Sequence, residues 1–135
     1  MPWCTFTEPE VAHVGMYEQD ARAQGIAVET YTFKLDEVDR AILDGEDEGF
    51  ARIHVQKGSD KILGATIVAA HAGEMISEFS VLMKAGLGAK ALAGTIHPYP
   101  TQAEANKKVV NLWRKAHFTQ ATRNRLIKLF AWMRR

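Results

Sequence analysis

One cysteine, Cys4, stands among 135 residues. A lone thiol excludes an internal disulfide, an intramolecular dithiol and a Cys-rich metal site. Cysteine poverty also fits a reducing compartment. Long apolar runs are missing too, since none approaches the roughly 20 residues a membrane span needs. The N-terminal Met1-Pro-Trp-Cys-Thr5 lacks a signal-peptide pattern and leads at once into apolar and turn residues, so the expected location is cytoplasmic. The histidines at 13, 54, 71, 97 and 117 form no H-x-x-x-H pair, and no Cys/His spacing suits zinc. No P-loop is present. Acids are absent from the last 30 residues: positions 1–105 hold all 16 acids and eight of the 17 Lys/Arg, a net −8, and 106–135 hold the other nine, a net +9.

What remains is the composition of one globular domain, 47% apolar and 24% charged, long enough to bury a core without staples. Thr5 to Gly15 reads as extended, punctuated by Pro9 and Gly15. Tyr17 to Gln24 reads as a short helix stopped by Gly25. Ala27 to Lys34 is β-branched and aromatic, hence a strand, and Leu35 to Gly49 is an acidic connection. Phe50 to Lys57 alternates and Ile62 to Ala70 is more apolar; with turn residues 58–61 between them they predict an antiparallel hairpin. Gly73 to Gly86 places Met75, Ile76, Phe79 and Met83 at helical spacing, with Leu82 beside them. A further helix runs from Thr101 to about Leu112, and a last one over 123–132. The expected fold class is α+β, an antiparallel sheet of about four strands with helices packed on one face.

Gly86-Leu-Gly-Ala-Lys-Ala91 matches the loose G-x-G-x-x-A pattern. A helix precedes it where a dinucleotide fingerprint needs a strand, so it reads as a helix stop and short turn. His54 reads as an outward strand position and His13 as a loop residue, both surface groups. The densest polar chemistry is Ile96-His-Pro-Tyr-Pro-Thr-Gln-Ala-Glu104. Thr101-Gln-Ala-Glu104 has the form of a capping box. That box leaves His97-Pro-Tyr-Pro100 unexplained, and Pro100 stiffens the backbone that carries Tyr99. Stiffness at a polar turn is what a site needs.

Phe6-Thr-Glu-Pro-Glu-Val-Ala-His-Val-Gly15, Glu46 to Phe50, Ile62-Leu-Gly-Ala-Thr66, Gly73-Glu-Met-Ile-Ser-Glu78 and Pro100-Thr-x-x-Glu104 follow one another in order. Together, over about residues 3–112, they resemble the C-terminal dimerisation domain of the pyridine nucleotide-disulfide oxidoreductases, the family of dihydrolipoyl dehydrogenase, glutathione reductase and mercuric reductase. The resemblance implies a homodimer. It implies FAD and NAD(P)H bound by other domains of the intact enzyme, with none held by this fragment, which is then inactive alone. It also implies that the 97–104 segment completes the partner's active site, where a His-Pro-Thr-x-x-Glu run usually supplies an acid/base histidine oriented by the glutamate. The candidate catalytic residues are therefore Tyr99, Glu104 and His97. Tyr99 occupies the usual histidine position, and with an ordinary pKa near 10 it is a poor base at neutral pH. Mercuric reductases also use a tyrosine there, but they end in a cysteine pair that Phe130-Ala-Trp-Met-Arg-Arg135 lacks.

The division is thus 1–112, dimerisation domain, and 113–135, a basic amphipathic helical tail. In the tail, basic positions 123, 125, 128, 134 and 135 interleave with Leu126, Ile127, Leu129, Phe130, Trp132 and Met133. Such a helix packs its apolar side on its own domain or contacts a membrane surface. Nucleic acid is not expected, because the acidic body repels a phosphate backbone. The rival to the family reading is a free-standing binding module recruited to an anionic membrane by this tail.

Overall fold

Ala12 and Val14 of β2 (Glu10–Gly15) turn to one side and His13 to the other, the period-two alternation of an extended chain. The alternation continues in β3 (Val28–Lys34), β4 (Phe50–Gln56) and β5 (Ile62–Ala69), while the short β1 (Trp3–Thr5) pairs with β2 at the edge. The computed structural model describes residues 1–133, the side chains of Gln120, Ala121 and Lys128 excepted. Its strands form one antiparallel sheet in the order β1-β2-β5-β4-β3. The α+β class holds, with a fifth strand: β1, of which only Thr5 falls in the stretch 5–15 read as extended, pairs with β2, the strand that forms over 10–15 of that stretch. The expected hairpin is β4–β5, with a bulge between His54 and Val55.

Helices α3 (Ala72–Lys84) and α5 (Glu104–Ala116) cover the face built from Ala12, Val14, Ile53, Val55, Ala65 and Ile67. Met75, Ile76, Phe79 and Leu82 of α3 are all buried, as their spacing predicts, and Met83 packs beside them. From α5 come Val109, Val110 and Trp113. The Glu10 carboxylate accepts from the Gly73 amide at 2.9 Å, giving one free N–H of the first turn of α3 a partner from the sheet. At the crossing of β2 and β5, Gly15 pairs with Gly64, where an added Cβ would collide with the Met16 carbonyl.

The expected placement of helices on a single face holds for the long pair, but α1 (Glu18–Ala23) lies over the opposite one. The Tyr17 ring, one residue before it, stacks on His13 with centroids 3.8 Å apart. That cover overturns the surface reading of His13 and His54, which are 2% and 4% exposed, and His13 lies in β2, not a loop. Both imidazoles are held by hydroxyls. His13 Nδ1 meets Thr66 Oγ1 at 2.8 Å and Nε2 meets the Gly15 carbonyl at 3.2 Å, so Nε2 carries the donated proton. The Thr30 hydroxyl gives its one proton to Glu18 Oε2 at 3.0 Å, and therefore accepts from His54 Nδ1 at 2.9 Å.

The acidic connection 35–49 is more structured than its composition suggests. A 3-10 turn (Leu35–Glu37) and α2 (Asp39–Asp44) form there because Leu35, Val38 and Ala41 bury completely. After α3, Gly86 with φ 69° stops the helix as read, and the chain then forms a further short helix, α4 (Ala89–Gly94). The α4 N-terminus is filled by Asp60, whose carbonyl takes the Ala89 amide at 2.7 Å and whose Oδ2 takes the Lys90 amide at 3.3 Å. The Gly86-Leu-Gly88 loop thus offers no cradle for a pyrophosphate, and these residues do not fit a dinucleotide.

The last helix, α6 (Gln120–Met133), contains the expected 123–132, and each of its described side chains is exposed. Its apolar positions do not pack on the domain: Ile127 and Phe130 are 55% and 51% exposed. Of the basic pattern, the Lys128 side chain, Arg134 and Arg135 lie outside the described residues. Helix α5 runs unbroken through residue 112 and buries Trp113. Among the described residues no helix is long and apolar enough to cross a membrane.

Candidate functional site: the 95–106 turn

Between α4 and α5 the chain makes a polar turn whose side chains part in two directions. His97 points inward, its side chain only 7% exposed, and its Nε2 meets Glu78 Oε1 of α3 at 2.8 Å. With Glu78 ionised, Nε2 must donate. The other carboxylate oxygen of Glu78 accepts from Asn106 Nδ2 at 2.8 Å, and the same amide donates to the Met75 carbonyl at 2.9 Å. Asn106 is fully buried. One carboxylate therefore ties α3, the turn and α5 together, each charge-assisted bond stronger than a neutral one. Gln102 adds a second anchor, donating to Glu46 Oε2 at 2.8 Å.

Tyr99 points outward. It is 69% exposed, and its hydroxyl donates to Asp39 Oδ2 of α2 at 2.6 Å. That hydrogen bond, reinforced by the Asp39 charge, raises the phenol above its ordinary pKa. At neutral pH Tyr99 is therefore a proton donor in a hydrogen bond and not a base. The Tyr99–Pro100 bond is cis.

The capping box read at Thr101 and Glu104 does not form. Helix α5 starts at Glu104 with Ala103 as its cap and no side-chain cap bond, while the Thr101 hydroxyl turns back to the Pro98 carbonyl at 2.9 Å. The turn winds one residue tighter than the box requires, since the Glu104 amide is already taken by the Thr101 carbonyl at 3.3 Å. Glu104 is left half-buried, its Oε2 covered and without a partner. It lines a groove of about 260 Å³ with His97, Tyr99, Lys107 and Asn111, and Asn111 Oδ1 is likewise buried and unpartnered. On the other side of the turn a cavity of about 450 Å³ is bordered by Glu74, Glu78, His97, Gln102 and Asn106.

His97, Tyr99 and Glu104 thus border one groove but make no hydrogen bond to one another, and His97 is also tied to Glu78 in the buried strut. Glu78, Asn106 and Asp39 were not singled out from sequence. Glu78 lies within Gly73-Glu-Met-Ile-Ser-Glu78, but nothing local to that motif marks its partners 19 and 28 residues away. Cys4 is half-buried, and burial followed by the nearby Glu10 charge raises its thiol above the ordinary pKa, the opposite of an activated nucleophile. Among the described residues no group of three or more His, Cys, Asp or Glu is placed to hold a metal ion.

Comparison with known proteins agrees with this architecture. The sequence profile described as pyridine nucleotide-disulphide oxidoreductase, dimerisation domain, matches residues 1–110. Mercuric reductase of Streptomyces lividans is 38% identical over 107 residues, which cover 79% of this chain and 23% of that protein. Dihydrolipoyl dehydrogenase of Mycoplasma pneumoniae is 38% identical over 117 residues, 87% of this chain and 25% of that one. Among solved structures, the HOCl-induced flavoprotein disulfide reductase RclA from Escherichia coli superposes with a TM-score of 0.79 at 27% identity, over 83% of this chain and 26% of its own. The chain thus spans about a quarter of the length of the proteins it matches. On the profile match and the shared five-stranded fold, the chain belongs to the pyridine nucleotide-disulphide oxidoreductase family, as its dimerisation domain.

Proposed function

We propose that this domain pairs two subunits of an FAD-dependent, NAD(P)H-linked oxidoreductase and presents the 95–106 turn to the partner subunit's active site. The observation that carries the reading is the half-buried Glu104, with an unpartnered carboxylate oxygen beside an exposed Tyr99, on a turn made rigid by His97, Glu78 and Asn106. An acid with a covered, unpartnered oxygen is costly in a lone domain. The cost is met when a second subunit brings a donor. Tyr99 contributes as a hydrogen-bond donor to substrate or to a nearby anion, because Asp39 raises its pKa and so disfavours loss of its proton.

In this reading His97 and Glu104 play different parts. His97 is a positioning residue, held by Glu78, and Glu104 orients groups across the subunit boundary. The exposed α6 forms a tail outside the pairing unit, whereas Trp113 at the end of α5 belongs to the core, and the isolated chain is catalytically silent. The test uses the full-length dimer that the reading requires. Tyr99→Phe should lower kcat while leaving subunit association and thermal stability unchanged. Normal turnover by that variant would remove the tyrosine from the mechanism. Purified 135-residue chain that showed a flavin absorbance band would contradict the division of labour.

A further inference from the structure

We propose that α6 docks on an anionic lipid surface, lying in the headgroup plane. The helix lies beyond the family match, which ends at residue 110. Each of its described side chains is exposed, so among the described residues nothing buries its apolar positions. At 3.6 residues per turn, Leu126, Ile127, Leu129, Phe130 and Met133 fall within an arc of about 160°. Arg123 lies within that arc, Arg125 lies outside it, and Trp132 stands beside Arg125. No acid occurs from Ala105 to Arg135, and Arg114 and Lys115 at the end of α5 extend the basic stretch.

Apolar side chains and unopposed cations on one short helix are rewarded together at a charged membrane surface. Among the described residues no helix is long and apolar enough to cross a membrane, and the cations on α6 suit the headgroup plane, so it is placed on the bilayer surface. A phosphate backbone would pair the cations and leave the apolar arc in water. An acidic partner copy fits less well. Its 35–44 segment offers Asp36, Glu37, Asp39 and Asp44 but only Ile42 and Leu43 as exposed large apolar residues, against five on the arc. The inference stands independently of the role proposed for the 95–106 turn.

The experiment is co-sedimentation of the full 135-residue chain with vesicles of phosphatidylcholine alone or mixed with phosphatidylglycerol. The chain should pellet with the mixed vesicles only, and salt should release it. Leu126→Asp with Phe130→Asp should abolish pelleting, and each of Arg123→Ala and Arg125→Ala should weaken it roughly fivefold. Circular dichroism and thermal melts of the variants guard against loss of fold. No binding to mixed vesicles, or binding that the apolar variants leave intact, would overturn the proposal. Lipid-free self-association that Leu126→Asp abolishes would assign the face to a second copy, and a shift of duplex DNA in place of vesicle binding would assign it to nucleic acid.

Discussion

Glu104 and Asn106 sit two residues apart on the first turn of α5, and the structure assigns them opposite duties. Asn106 holds Glu78 and the Met75 carbonyl in the buried strut, so Asn106→Ala should cost about 1–3 kcal/mol by leaving those acceptors unsatisfied. Glu104 has no capping bond to lose. Glu104→Gln should therefore leave the melting temperature of the isolated chain unchanged or slightly raised, and slow the full-length dimer. A residue that lowers stability while serving function is expected at a site and nowhere else. A clear fall in melting temperature for Glu104→Gln would mark it as structural. The two covered histidines give a pH signature. Burial lowers the pKa of both His13 and His54. The unfolded chain then binds protons that the native chain refuses. Stability is full above the unfolded value of about 6.5 and declines as pH falls below it, toward the lowered native values. Thermal melts through that range should show the loss, and His13→Gln with His54→Gln should flatten it.

At the scale of elements, the apolar stripe of α3 and the two long strands of the β4–β5 hairpin were legible because periodicity is local. Phe79 at the centre of that stripe is completely buried, and Phe79→Ala should cost about 3–5 kcal/mol in a denaturant melt. Gly64→Ala should be as disruptive for the opposite reason, since a methyl there meets the Met16 carbonyl. What could not be read were features set by long-range contact. His54 reads as an outward strand position and His13 as a surface loop residue because nothing near them in sequence says that Tyr17 and α1 fold over that face. The 35–44 segment looked like an acidic linker because Leu35, Val38 and Ala41 are sparse among charges, and only tertiary burial makes them a turn and a helix. The Thr101–Glu104 box failed for a local reason: the Glu104 amide, from which the threonine hydroxyl would accept, is already bonded to the Thr101 carbonyl. The 95–104 stretch was legible as a site through its density of polar groups, whereas the partition of its side chains was not.

For the whole molecule, the charge division read from sequence becomes spatial. All 16 acids lie up to Glu104 together with eight of the 17 Lys/Arg, while the later part of α5 and the exposed α6 carry cations without acids. The body matches a dimerisation domain, and a two-fold contact would be isologous, each turn meeting its counterpart's surface. The central claim is that this body pairs through the face carrying α3 and the 95–106 turn. Sedimentation equilibrium of the 135-residue chain, from low to high micromolar concentration in lipid-free buffer, tests it most directly. The account predicts a reversible monomer–dimer equilibrium, unaffected by Leu126→Asp in α6 and weakened by Val81→Glu on the exposed side of α3. A chain that stays monomeric throughout, or a dimer indifferent to Val81→Glu and lost with the tail variant, would contradict it.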